Sequence, residues 1–251
     1  MINHRSLTLL FCVLFSMIIQ TSSAADKEWH RVYLATYPRS GNHWFRYLIE
    51  EATHIATSSV YCDNDPQHMR KPFPWGGYCC DHGYEGNCRY PKKNEFVLVK
   101  THFPAQETKI TQYDQLSYHM SIRVVRHPVD SFYSRYVRKY AAEAQIETTV
   151  PTARVKEFIE SWRRFQMYWN QKKNVITIRY EDALDNPAVE LRRMCEALNY
   201  DVSDEDIERA VEKHPPQGFM YKHLDKFTTE DLKLIQRELK SLMKQFNYII
   251  P

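Results

Sequence analysis

The chain has 251 residues and a mass of 30.0 kDa, room for one ordinary domain or two small ones. Its 43% hydrophobic and 26% charged residues belong to a globular protein with a sizeable core, and a mean hydropathy of -0.60 excludes a multi-spanning membrane protein. With 34 basic and 31 acidic residues the net charge is only +3, which argues against a nucleic-acid partner, and six glycines, against about 17 at average usage, exclude Gly-rich repeats and dinucleotide fingerprints.

Residues 1–25 read as a secretory signal. Arg5 lies in a short polar start, Leu7–Ile19 is a 13-residue apolar run, and Thr21–Ala25 ends it with small residues. Thirteen apolar residues fall short of the roughly 20 that a membrane span needs; the alternative is an uncleaved signal anchor, the one route to a membrane. Residues 26–251 are then expected to form a single domain.

The first predicted strand, Val32–Thr36, breaks into Tyr37-Pro-Arg-Ser-Gly-Asn-His-Trp44 and a helix over Trp44–Glu51. A strand–loop–helix turn of this kind offers backbone N–H groups to an anion, and Arg39 adds a planar donor fork. The G-x-x-x-x-G-K-[ST] spacing of a nucleotide-and-magnesium loop is absent; the alternative is an ordinary turn with an exposed Arg39. Residues 53–95 form a Cys-rich excursion. In an exported chain Cys62, Cys79, Cys80 and Cys88 read as two disulfides with three open connectivities, the rival being a zinc site with His68 or His82. The aromatics Trp75, Tyr78, Tyr84 and Tyr90 of this excursion either stack on sugar rings or pack the staple. Cys195, in an apolar helical pattern, is expected to be a buried free thiol.

The second strand, Phe96–Lys100, leads into Thr101-His102. The third, Ile122–Arg126, leads into a helix over Val129–Tyr140. Lys100, His102 and Arg126 thus come to strand carboxyl ends, where open α/β sheets bind ligands, and Ser134 lies far enough along its helix to face the same edge. Arg126 and Ser134 suit a second phosphate, or Arg126 pairs with Asp130. His102 suits a general base, which implies loss of rate on the acid side as the imidazole protonates. After a second excursion at 141–152 come a helix over Arg154–Asn170, a strand over Val175–Tyr180, and helices over Ala188–Leu198, Asp204–Glu212 and Glu230–Phe246. Pro128 and Pro187 suit first helical turns, and Ser203-x-x-Asp206 and Thr228-x-x-Asp231 resemble capping boxes. Alternating strands and helices predict a three-layer α/β/α domain on a central parallel sheet.

Four motifs in order, spanning Tyr37–Leu184, resemble the sulfotransferases that use 3′-phosphoadenosine 5′-phosphosulfate (PAPS). The resemblance implies a P-loop-like α/β fold. It implies a 5′-phosphosulfate loop formed by Arg39, Ser40, Gly41, Asn42, His43 and Trp44, and a 3′-phosphate clamp of Arg126 and Ser134. It further implies Tyr180, in Arg179-Tyr-Glu-Asp-Ala-Leu184, near the adenine, and a K-T-H segment in which His102 is the base and Lys100, with Arg39, stabilises charge. No metal is implied. Arg39, where the cytosolic branch has Lys, together with export, is similar to Golgi enzymes that sulfate carbohydrate or protein tyrosine, and Asn42-His43 resembles domains of the WSC-linked type. The implied acceptor is a glycan, with tyrosine or a small phenol or alcohol as alternatives, met in the Golgi lumen or outside the cell. A non-catalytic binding protein and a P-loop-like kinase are the competing readings. Two departures stand out: the R-K-G loop of the cytosolic branch is replaced by Gly218-Phe-Met-Tyr-Lys222-His223, leaving Lys222 as a substitute, and the base in secretory branches is often Glu, for which Glu50, Glu51 and Glu95 are candidates.

Overall fold

The computed structural model describes residues 31–55, 57–59, 97–105, 120–140, 149–216, 218 and 222–251. The signal-like segment, the four clustered cysteines, the aromatics Trp75 to Tyr90 and Glu95 lie outside them.

Among the described residues, five parallel strands form one sheet in the order β2-β3-β1-β4-β5: β1 Arg31–Thr36, β2 Ser58–Ser59, β3 Val97–Thr101, β4 Met120–Val125 and β5 Val175–Arg179. From β1 the chain passes to the edge strand β2 and returns to β3 between β2 and β1, then crosses to β4 and β5 on the other side. The reversal puts a switch point at the carboxyl end of β1, where ligands of open α/β sheets sit. Both faces are covered, so the strands are apolar on both sides. Val32 and Leu34 of β1 pack under α1 (Asn42–Thr53), α5 (Pro187–Ala197) and α6 (Asp204–Lys213). Tyr33 and Ala35, pointing the opposite way as a period of two demands, pack under α2 (Pro128–Tyr140), α3 (Thr152–Asn170), α7 (Thr229–Glu238) and α8 (Lys240–Gln245). Trp162, Phe158 and Phe165 of α3 are wholly buried there. This is the expected three-layer arrangement.

The helix starts follow the sequence. Pro128 and Pro187 open α2 and α5. Ser203 and Thr228 cap α6 and α7, their hydroxyl oxygens each accepting a hydrogen bond at 3.1 Å from the N–H of Asp206 and Asp231, which satisfies donors the helix leaves unpaired. Cys195 is buried and free, and burial pushes its thiol up to about 12.

Four boundaries differ from expectation. The helix expected over Glu230–Phe246 is two: Leu239 (φ -108°, ψ 10°) redirects the chain so that Leu242, Met243 and Phe246 join the core that already holds Ile235 and Leu239. The run expected as strand to Tyr180 stops at Arg179, and Tyr180–Asp185 forms a short helix, α4, with Glu181 and Asp182 at its positive end. Arg126 lies just beyond β4 rather than inside it. Within the span assigned to the Cys-rich excursion, Ser58–Ser59 pair in parallel with Val99 and Lys100 as an edge strand.

Candidate active site

The loop after β1 is held by its backbone. The Ser40 N–H donates to the Tyr37 carbonyl at 3.1 Å, and Arg39 (φ 70°) and Gly41 (φ 88°) both adopt left-handed conformations before α1 begins. Gly41 is required twice over. Its φ favours glycine, and a Cβ there would stand 2.5 Å from Cε2 and 2.7 Å from Cδ2 of Tyr180. The ring of Tyr180, delivered by β5, therefore lies flush against the loop delivered by β1.

Arg126, delivered by β4, closes the group. Its guanidinium lies 4.7 Å from the centre of the Tyr180 ring, a cation–π contact, and its Nη1 donates to the Arg39 carbonyl at 2.8 Å. Arg39 in turn donates from Nε to Ser134 Oγ at 3.1 Å. The sequence separates Arg39 from the Arg126–Ser134 pair as two anion sites; the fold joins all three. The expected alternative, Arg126 paired with Asp130, is not what forms. Asp130 accepts a hydrogen bond from His223 Nδ1 at 2.9 Å.

Arg39, Arg126 and Ser134 line a cavity of about 580 Å³ with Gly41, Asn42, His43, Trp44, Tyr180 and Lys222, a volume suited to a nucleotide-sized ligand. Trp44 is fixed by donation from Nε1 to the His214 carbonyl at 2.8 Å and meets Tyr180 edge-on at 5.8 Å. Tyr47 stacks on His214 at 5.3 Å and 17°. Lys213, His214 and Pro215 complete the wall, and among the described residues no Asp or Glu lines it. Burial, then the charges of Arg138 and Arg126, pull the Arg39 pKa below its ordinary value. Cations crowd here against their own repulsion, next to flat aromatic surface. Beneath the loop, the buried Ser40 Oγ and Asn42 Oδ1 have no hydrogen-bond partner among the described residues. The arrangement can take up a multiply charged anion carrying a planar ring.

His102 and Lys100 lie elsewhere on the same edge. Lys100 is inside β3 rather than at its end, and neither residue lines the cavity. His102 is buried, 7% exposed, with Nδ1 2.7 Å from the Thr36 carbonyl and 3.0 Å from Thr36 Oγ1. A carbonyl only accepts, so the Nδ1–H donates to it and the ring lone pair is on Nε2. Burial first, then repulsion from Lys100, lowers the imidazole to about 3. The imidazole therefore stays neutral far below the pH at which an ordinary histidine gains its proton. Two of the alternative carboxylates are engaged in structural contacts: Glu50 Oε1 accepts from the N–H and hydroxyl of Thr57, and Glu51 is paired with Lys213 and Arg209.

Sequence reasoning missed Tyr47, Lys213, His214 and Arg138. Tyr47 follows Trp44 by three residues on α1 and was findable from helical spacing. The Lys213-His214 wall comes from the end of α6, and nothing local marks it.

The fold and the site together define an α/β domain whose switch-point cavity joins a glycine turn, two guanidiniums and an aromatic wall. Residues 30–244 match the family model described as "Sulfotransferase domain", and the chain belongs to that family. A WSCD family member of Aedes aegypti is 26% identical over 183 residues, 68% of this chain and 51% of its own length. One of Drosophila melanogaster is 23% identical over 189 residues, 71% of this chain and 53% of its own length. The chain thus spans about half the length of the curated relatives it matches. Among solved structures, mouse sulfotransferase SULT7A1 complexed with PAP superposes with a TM-score of 0.60 at 18% identity, over 87% of this chain and 85% of that one. Retinol dehydratase in complex with androsterone and inactive cofactor PAP gives 0.52 at 19% identity, over 88% and 82%. At these identities the likeness is one of fold.

Proposed function

We propose that this chain transfers a sulfuryl group from PAPS to an acceptor hydroxyl, on a carbohydrate met in the secretory pathway. The observation that carries the reading is the single cavity in which Arg39, Arg126 and Ser134 stand beside Trp44 and Tyr180: guanidiniums for phosphate, rings for a base. Family membership supports the reaction class. The signal-like segment and Arg39 in the loop support export and a glycan acceptor.

The residues divide the work. Arg126 and Ser134 hold the 3′-phosphate with Lys222, while Arg39, the Gly41–Asn42 backbone and the Ser40 and Asn42 side chains hold the 5′ side. Trp44 and Tyr180 bracket the adenine, and His43 closes the loop side. When bound, PAPS supplies a sulfuryl group on its 5′-phosphate; the acceptor oxygen forms the new S–O bond as the S–O bond to phosphate breaks. His102 takes the acceptor proton on Nε2, the atom its Thr36 contact leaves unprotonated. Lys100 stabilises charge developing at the transferring group, and Arg39 neutralises the phosphate released. An imidazole near 3 is a weak base, but negative charge brought to this edge offsets the repulsion from Lys100 and His43 and raises it. Positioning and fixed charge supply most of the rate, as in phosphoryl transfer.

The test is incubation of purified protein with ³⁵S-labelled PAPS, in chelator, against a panel of glycans, tyrosine peptides and phenols. Label on a glycan supports the full reading, and label on a peptide or phenol keeps the chemistry but changes the acceptor. Nucleotide binding with no transfer favours a binding protein, and magnesium-dependent transfer from ATP favours a kinase.

A further inference from the structure

Helix α2 carries three polar residues at four-residue intervals, Asp130, Ser134 and Arg138, which such spacing places along one face. Asp130, 1% exposed, docks His223, whose ring also lies 4.5 Å from that of Tyr133. That contact fixes the segment bearing Lys222 against the helix. Ser134 accepts from Arg39. Arg138 stands one turn further on, roughly 6 Å along the axis, within reach of a long side chain. It lines a cavity of about 320 Å³ together with Arg39, Arg126, Ser134, Tyr133 and His223. Four of these also wall the larger cavity. Of the charges acting on Arg39, that of Arg138 is the largest, ahead of Arg126.

Three guanidiniums therefore line one cavity with Ser134, and among the described residues no carboxylate lines either cavity. Like charges gathered this way are relieved by an anion of more than one charge set among them. We propose that Arg138 is a 3′-phosphate-binding residue, completing with Arg126 and Ser134 a seat for a phosphate dianion on the face of α2. The inference rests on the reading that the cavity holds PAPS, and goes beyond it in assigning the second strong cation of the seat to α2 rather than to the segment around Lys222.

Calorimetric titration of wild-type protein, Arg138→Ala and Lys222→Ala with 3′-phosphoadenosine 5′-phosphate (PAP) and with AMP, which lacks the 3′-phosphate, tests this. Wild type is expected to prefer PAP. Arg138→Ala should lose about tenfold or more in PAP affinity, as for a hydrogen bond to a charged group, with AMP affinity within twofold and an unchanged melting temperature. Lys222→Ala should lose less. Overturning results are PAP affinity unchanged in Arg138→Ala, or equal loss for PAP and AMP, which would make Arg138 a general attractor. If wild type binds neither nucleotide, the nucleotide reading itself fails, an outcome distinct from either.

Discussion

On the β1–β4 side of the sheet edge, Arg39, Arg126 and Arg138 face a water-accessible cavity. On the β1–β3 side, the imidazole of His102 is buried against Thr36 and held to about 3. Both regions hang from the end of β1, Thr36 gripping the histidine and the residues after it forming the loop. Under the proposed function, their environments are opposite because their tasks are. A cation that binds phosphate keeps its charge when water reaches it, whereas a proton acceptor has to be neutral beforehand, and burial ensures that. On that reading, one strand end supports a charged binding half and an uncharged reacting half, separated by dielectric.

The sharpest break between the halves is His102→Ala. Turnover should fall by about 10²–10⁴-fold, the worth of a positioned base, while PAP affinity measured by calorimetry changes less than twofold. Collapse of PAP binding in that variant would move His102 into the binding half. The pH profiles sharpen the same point. With the free imidazole near 3, kcat/KM should show no histidine limb between pH 8 and 5. The kcat profile, which reports the loaded enzyme, should break at higher pH, because bound negative charge raises the imidazole.

Next in size is Arg126→Ala, which should weaken PAP by about 2–5 kcal/mol, as when one partner of a desolvated charge pair is removed. Unchanged affinity would remove Arg126 from the seat. Gly41→Ala acts on geometry. A Cβ 2.5 Å from the Tyr180 ring, at φ 88°, should cost about 1–3 kcal/mol of stability by denaturant titration and weaken PAP by displacing Tyr180 from Arg126. A variant as stable and as tight as wild type would contradict the close approach. Ser134→Ala should cost less PAP binding than Arg126→Ala, about 1.5–3 kcal/mol, the value of one hydrogen bond from a neutral hydroxyl to a charged group.

The binding half was legible in the sequence because its parts are local. The loop from Tyr37 to Trp44, Arg126 with Ser134 eight residues on, and Tyr180 after a strand each announce themselves within one strand–helix junction, and the fold needs only parallel strands to bring them together. What could not be read is what depends on distant packing. The Arg39–Ser134 contact spans 95 residues, and the Trp44–His214 contact 170. The break at Leu239 has no glycine or proline to mark it; it arises because two apolar faces seek one core. The burial of His102 was equally hidden. Lys100-Thr-His102 reads as a strand end meeting solvent, yet β3 extends through Thr101 and the imidazole turns in to Thr36.

The most direct test of the account is calorimetric titration of PAP into wild-type protein in chelator, at low and at high salt. The account predicts one nucleotide per chain without any metal, bound more tightly than AMP, with affinity falling as salt screens the guanidiniums. Absence of binding, or equal affinity for PAP and AMP, would contradict it.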